Sequence, residues 1–98
     1  DNQIKFMGHR IELDEIEIAL NKIKNIKRCV VTFGKKNNTY EITAWVILKN
    51  QKNCDFTKEV AKDLPNYMIP RKFNFIKDLP INPNGKIDKI KLKKGYYD

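Results

Sequence analysis

Hydrophobic positions recur along this chain with a period that changes three times, and each change marks an element. From Gln3 to Leu13 (QIKFMGHRIEL), Ile4 and Phe6 alternate with Gln3 and Lys5, as a half-buried strand requires. The pattern predicts two short strands meeting near Gly8, whose backbone freedom suits a turn or bulge. From Leu13 the period becomes helical. Leu13, Ile16, Leu20 and Ile23 fall three or four apart with Ala19 beside them. Asp14, Glu15 and Glu17 occupy the first turns and Lys22, Lys24 and Lys27 the end, a polarity that complements the helix dipole. Glu15 and Glu17 read as the solvated face of this helix.

Alternation then returns. Residues 28–33 and 40–48 predict a β-hairpin whose turn is Gly34 to Thr39, containing Asn37 and Asn38. Tyr40, Ile42, Ala44, Val46 and Leu48 share one face of the second strand. Trp45 and Ile47 on the other face predict a strand covered, at least in part, on both sides. Asp55 is placed to cap a second helix that runs to about residue 64, with Phe56, Val60, Ala61 and Leu64 inward, and Pro65 stops it. A short strand over 72–76 follows Pro70, and Tyr67 and Met68 are expected to pack beneath the sheet. The tail from Asp78 carries Pro80, Pro83, Asn84 and Gly85, then Ile87, Ile90 and Leu92, enough for one or two helical turns. The order ββαββαβ with a loop-and-helix tail predicts an α+β domain: a small β-sheet with helices packed against it, an N-terminal β-hairpin and a C-terminal loop.

The 98 residues are about the size of one domain, and 41% hydrophobic content suffices for a core. No apolar run approaches the roughly 20 residues that span a bilayer, so no membrane association is expected. No signal peptide opens the chain; with an abrupt start and no initiator Met, it reads as a piece of something longer. The net charge of +8 admits nucleic acid, an anionic membrane or a phosphorylated substrate as partner. The excess is almost all lysine, however, with only Arg10, Arg28 and Arg71 to supply forked guanidinium groups, which fits a solvated surface better than a nucleic-acid face. Two cysteines are too few for a disulfide framework, or for a zinc site with His9. Cys29 is expected to be buried and Cys54 to be a free thiol in a polar loop, which points to a reducing, cytoplasmic setting.

The chemistry-bearing stretch is Leu79 to Asp88, LPINPNGKID. Two prolines stiffen an exposed loop, Asn84-Gly85 forms a tight turn, and Lys86 is projected outward where one ammonium stabilises phosphate or carboxylate charge. Exposed Asn-Gly-Lys turns are common, and from physics alone a solvated turn lysine is the stronger reading. The wording of the segment changes that. LPINPNGKID resembles the closing motif L-P-x-T-x-N-G-K-x-D of the acyl- and aminoacyl-adenylating superfamily. DNQIKFMGHRIELDEIE (1–17) resembles the motif opening that family's C-terminal domain, and LPNYMIP (64–70) the segment between. The three stand in the right order over nearly the whole chain; Asn82 stands where the family often has Thr.

The resemblance implies that residues 1–98 form the C-terminal lid domain of an ATP-dependent ligase, the large N-terminal domain with the ATP and substrate sites lying elsewhere. Such a ligase activates a carboxylate, here an amino acid by motif wording, as acyl-adenylate with ATP and Mg²⁺. It then passes the acyl group to a thiol on a phosphopantetheine carrier protein or on coenzyme A. Lys86 would be the catalytic lysine of the first step, with Asn84 and Gly85 supporting its loop. Asp1 would be the hinge, and Lys5 and Gly8 the hairpin that enters the site for the second step. Peptide-synthetase adenylation domains and D-alanine–carrier-protein ligases are not separated by these motifs. The chain alone is expected to be inactive, monomeric and without bound cofactor or metal. A general-base role for His9 is not expected, while Arg10 and Glu12 are expected to order the hairpin by ion pairing. Trp45 with Tyr40 as a base-stacking platform is the weaker alternative to core packing. The rival from another class is a free-standing basic α/β module that holds RNA or an acidic partner on Lys86 to Lys94.

Overall fold

A computed structural model describes residues 3–50 and 55–95. Asp1 and Cys54 lie outside the described residues. Strands β1 (Gln3–Phe6) and β2 (His9–Glu12) pair antiparallel with Lys5 opposite Arg10 and Phe6 opposite His9. The two residues between them, Met7 and Gly8, both have positive φ, 52° and 79°. That backbone twist matches the twist of the strands, which is why the tightest hairpins use it.

Helix α1 (Leu13–Asn21) buries Leu13, Ile16, Ala19 and Leu20, the stripe read from the sequence. It ends earlier than the lysines require, and its last turn holds no basic residue. The cause is Asn21. Its side-chain amide donates to the Glu17 and Cys29 carbonyls (2.8 and 3.2 Å), and its oxygen accepts from the Cys29 N–H (2.9 Å), so the chain turns out of the helix there. Lys22, Lys24 and Lys27 therefore follow the helix and do not complement its dipole.

Strands β3 (Ile26–Lys36) and β4 (Thr39–Leu48) form a long hairpin whose turn is only Asn37–Asn38, at φ 52° and 65°. Asparagine tolerates the left-handed region, so the strands run on past Gly34 to a tighter turn than the loop-rich sequence predicts. The pairing is antiparallel, Val31 opposite Ala44, with an irregularity between Ile26 and Arg28. Helix α2 (Phe56–Val60) is capped by Asp55, which accepts from the Lys58 N–H at 3.2 Å. It stops four residues short of Leu64, and Ala61 is exposed rather than inward. Leu64 still packs on the core, its N–H bonded at 3.0 Å to the Val60 carbonyl in the turn that follows the helix. After a single 3₁₀ turn (Asn66–Met68), β5 (Lys72–Phe75) pairs with β4 in parallel, Ala44 opposite Phe73, giving the sheet order β3-β4-β5. Helix α3 (Lys89–Lys94) closes the described tail.

The core joins α1, α2 and one sheet face: Ile11, Ile16, Leu20, Val31, Ile42, Val46 and Val60 are almost fully buried, and Met68 is buried with them. Tyr67 packs at its margin. On the other face of the β3–β4 pair, Val30, Thr32, Thr43 and Trp45 are also buried, and the Trp45 indole N–H donates to Thr32 Oγ1 at 2.8 Å. Tyr40 lies on the opposite face and stacks on Phe33, ring centroids 5.4 Å apart. Trp45 and Tyr40 thus form no common platform. The observed α+β architecture, a small sheet with helices against it and an N-terminal hairpin, is the one read from the sequence. No helix among the described residues is long and apolar enough to cross a membrane.

Candidate functional site

The loop between β5 and α3 is held by backbone bonds and by the side chain of Asn82, and none of these bonds uses the Lys86 ammonium. Ile81 and Ile87 form an isolated antiparallel bridge, and the Asn82 N–H donates to the Lys86 carbonyl at 2.7 Å. Inside this pinch, the Asn82 side-chain oxygen accepts from the N–H groups of Asn84 (2.9 Å) and Lys86 (3.0 Å). The Gly85 N–H donates to the Asn82 carbonyl at 2.9 Å, and Gly85 has a φ of +80°, a conformation that favours glycine. Among the described residues a Cβ at Gly85 would meet nothing within 4 Å beyond its chain neighbours, so glycine suits this position for its backbone and not for space. Lys86 is exposed at the exit of the turn.

Asn82, not Asn84, therefore holds the turn together through its side chain. An asparagine that precedes Asn84 by two residues is a recognisable Asx-turn signal, and in the sequence it stands out only as a departure from Thr. With Asn82→Ala, the Lys86 amide is expected to exchange its hydrogen about tenfold faster, the scale for losing such bonds. Asn82→Asp, which keeps the acceptor oxygen, is expected to exchange within about threefold of wild type on the same scale. Two-dimensional NMR exchange measures both; equal rates in the Ala variant would deny Asn82 this role.

The loop is tied down on its far side. The Asp88 N–H donates to the Pro80 carbonyl at 2.7 Å, and its carboxylate caps α3 by accepting from the Lys91 N–H at 3.0 Å. Lys89 reaches across to Glu17 on α1, with Nζ 3.1 Å from Oε2. The same carboxylate oxygen accepts from the Val31 N–H at 3.0 Å. Glu17 is thus not on a solvated face, although Glu15 is exposed as expected.

The N-terminal hairpin is a second, separate feature. Lys5 and Gly8 are exposed, and among the described residues nothing beyond its chain neighbours lies within 4 Å of where a Cβ would stand at Gly8. Two ring contacts fix the hairpin to the body: Phe6 meets Phe33 edge-on, centroids 5.2 Å apart, and His9 stacks on Tyr67 at 3.6 Å. His9 is accordingly a packing residue. Among the described residues, Glu12 takes a hydrogen bond from the Gln3 side chain at 2.6 Å, and neither Glu12 nor Arg10 forms the expected ion pairing. Beside the hairpin lies an open groove of about 490 Å³ whose lining includes Lys5, Phe6, Met7, Phe33, Tyr40 and Arg71. Lys86 does not line this groove, and the two sequence-predicted sites lie on different elements.

Cys29 contributes no chemistry to either feature. Burial, with the Glu17 carboxylate nearby, pushes its thiol up to about 12, which leaves it protonated and unreactive at neutral pH. Among the described residues no three His, Cys, Asp or Glu side chains gather into a metal-binding group.

Comparison with known proteins fits these features into one family. The sequence pattern of the AMP-binding enzyme C-terminal domain matches residues 15–86. The D-alanine–D-alanyl carrier protein ligase of Streptococcus agalactiae serotype V is 38% identical over 100 residues, covering 90% of this chain and 20% of the ligase. Surfactin synthase subunit 3 of Bacillus subtilis is also 38% identical, over 96 residues, covering 96% of this chain and 8% of the synthase. The chain thus spans a fifth or less of the length of these curated relatives. The amide bond synthetase McbA of Marinactinospora thermotolerans superposes with a TM-score of 0.88 over all of this chain and 21% of its own, at 20% identity, a likeness of fold alone. With its pattern matched from the first turn of α1 through the Lys86 turn, the chain belongs to the AMP-binding enzyme C-terminal domain family.

Proposed function

We propose that this chain is the mobile C-terminal domain of an ATP-dependent ligase that activates an amino acid as its adenylate and transfers it to the thiol of a phosphopantetheine carrier protein. The observation that carries the reading is the Lys86 loop: a turn braced by Asn82 and Gly85 that presents one unpaired ammonium, in a chain belonging to the adenylating family. The name of the D-alanine ligase states both an amino acid and a carrier protein, which favours a carrier over coenzyme A as acceptor.

In the first half-reaction a substrate carboxylate oxygen attacks the α-phosphorus of ATP, and pyrophosphate leaves. Lys86 offsets the negative charge gathered between carboxylate and α-phosphate, as a compact ammonium does where water is excluded. In the second, a thiol attacks the acyl carbon and AMP leaves. Lys5 and Gly8 belong to this step, and Gly8 leaves the hairpin tip without a side chain where the thiol's arm would pass. Asp1 is the pivot between the two arrangements. The described residues offer no ligand set for Mg²⁺, which belongs with the nucleotide and the remainder of the ligase. The setting in this reading is the cytoplasm.

The ligase carrying this chain is expected to exchange radioactive pyrophosphate into ATP only when its amino acid is supplied. It is then expected to load that amino acid onto a phosphopantetheinylated carrier. Exchange with no member of a panel of amino and other carboxylic acids, D-alanine included, would refute the reading. Retention of RNA by the chain in that case would favour the basic-module alternative.

A further inference from the structure

We infer that Glu17 is a positioning residue for Lys86: its carboxylate clasps the start of α3 to strand β3 and so sets where the lysine loop stands. The inference rests on the reading of Lys86 given above. Three observations converge on it. Glu17 Oε2 receives two donors at once, Lys89 Nζ at 3.1 Å and the Val31 N–H at 3.0 Å, from elements far apart in sequence. Lys89 lies 72 positions from Glu17 and three after Lys86. Between Lys86 and Lys89, Ile87 is bridged to Ile81 and Asp88 is bonded to Pro80, so the segment is stiff and a displacement at Lys89 is passed to Lys86.

The third observation is what α3 lacks. The helix has six residues and buries none of its side chains fully, while Ile90 is 73% exposed. A helix so short is not stable by itself, and its placement depends on contacts with the body of the domain, among them the pair of Lys89 with Glu17. The Glu17 and Lys89 side chains are only 22% and 31% exposed, so their attraction is less screened than that of a surface pair. The Val31 bond fixes the carboxylate before Lys89 meets it, which lowers the entropy lost in forming the pair. Glu17 thus acts through Lys89 on Lys86 and touches no substrate itself.

Two measurements separate this inference from the reading on which it rests. In the 98-residue chain, Glu17→Gln keeps an acceptor for the Val31 N–H and loses the ion pair. The amides of Asn82, Lys86 and Leu92 are expected to exchange about tenfold faster, while those joining β3 to β4 stay within about twofold. In the ligase, Glu17→Gln and Lys89→Met are each expected to lower adenylate formation about tenfold, with thiol transfer from preformed adenylate unchanged, the cost expected of a misplaced group. Lys89→Arg should restore the rate, and the double variant should be no worse than either single one, as for residues acting as one unit. Unchanged exchange at Asn82 and Lys86 overturns the inference. So does acceleration spread through β3 and β4, since Glu17 would then hold the fold and not the loop. Equal loss of both half-reactions also overturns it. Full adenylate formation by Lys86→Ala would instead sink the reading of Lys86, whatever the clasp does to exchange.

Discussion

Lys86→Ala is expected to lower adenylate formation in the ligase by about two to three orders of magnitude, the scale for removing one group that stabilises developing charge. The loop itself should be undisturbed. Its bonds run through the backbone of residues 80, 82, 84, 85, 86 and 88 and the side chain of Asn82, and none uses the lysine ammonium. The variant should therefore melt like wild type, and the loss should sit in kcat for pyrophosphate exchange. Thiol transfer from supplied adenylate should change by less than about threefold, because a group that acts only in the first transition state leaves the second alone. If both half-reactions fell together, Lys86 would be part of the scaffold and the assignment would be wrong.

Gly8→Trp is expected to produce the opposite profile: adenylate at near the wild-type rate, and thiol transfer reduced by about a hundredfold or more, the scale of a reacting group kept from its place. Gly8 has a φ of +79°, so most replacements, Trp included, strain the turn, and obstruction must be told from strain. Gly8→Asn provides the control, since asparagine tolerates this backbone, as Asn37 and Asn38 do at the tip of the other hairpin. Among the described residues, nothing beyond its chain neighbours stands within 4 Å of a Cβ at Gly8, so a first side-chain atom there meets open space. Thiol transfer is expected to fall in order of side-chain size, Gly to Asn to Trp, while melting temperatures of the Asn and wild-type proteins agree. Single-turnover thioester formation measures this. Normal transfer in the Trp enzyme would remove the hairpin from the second step.

Much of this architecture was legible because local rules and tertiary packing agreed. The stripe Leu13, Ile16, Leu20 faces the core, Asp55 caps its helix, and Trp45 is buried on the second sheet face. The Lys86 turn was legible as a turn, and its wording pointed to the family. What escaped depends on distance along the chain. Glu17 looks like any acid on a helix until Lys89 arrives from 72 positions away. The His9–Tyr67 stack and the parallel seat of β5 on β4 are likewise long-range, and neither strand's alternation encodes its neighbour. The end of α1 was misplaced for a local reason of another kind. Asn21 spends its amide on Cys29 and the backbone of Glu17, and hydrophobic periodicity does not register side-chain hydrogen bonds.

The contacts of Asn21 and Glu17 with β3 also bear on how this molecule behaves among copies of itself. A border strand offers its free N–H and C=O groups to any passing chain, and sheets left open in this way recruit strands and grow into aggregates. Here the Cys29 N–H and carbonyl and the Val31 N–H are already occupied by side chains from α1. A foreign strand would have to displace an amide and a carboxylate that are held in place by their own helix. The opposite border, β5, is only four residues long and begins with Lys72, which offers little length on which to register. Over this stretch of β3 the border is closed to strand addition, and the carboxylate that clasps the tail also seals the seam.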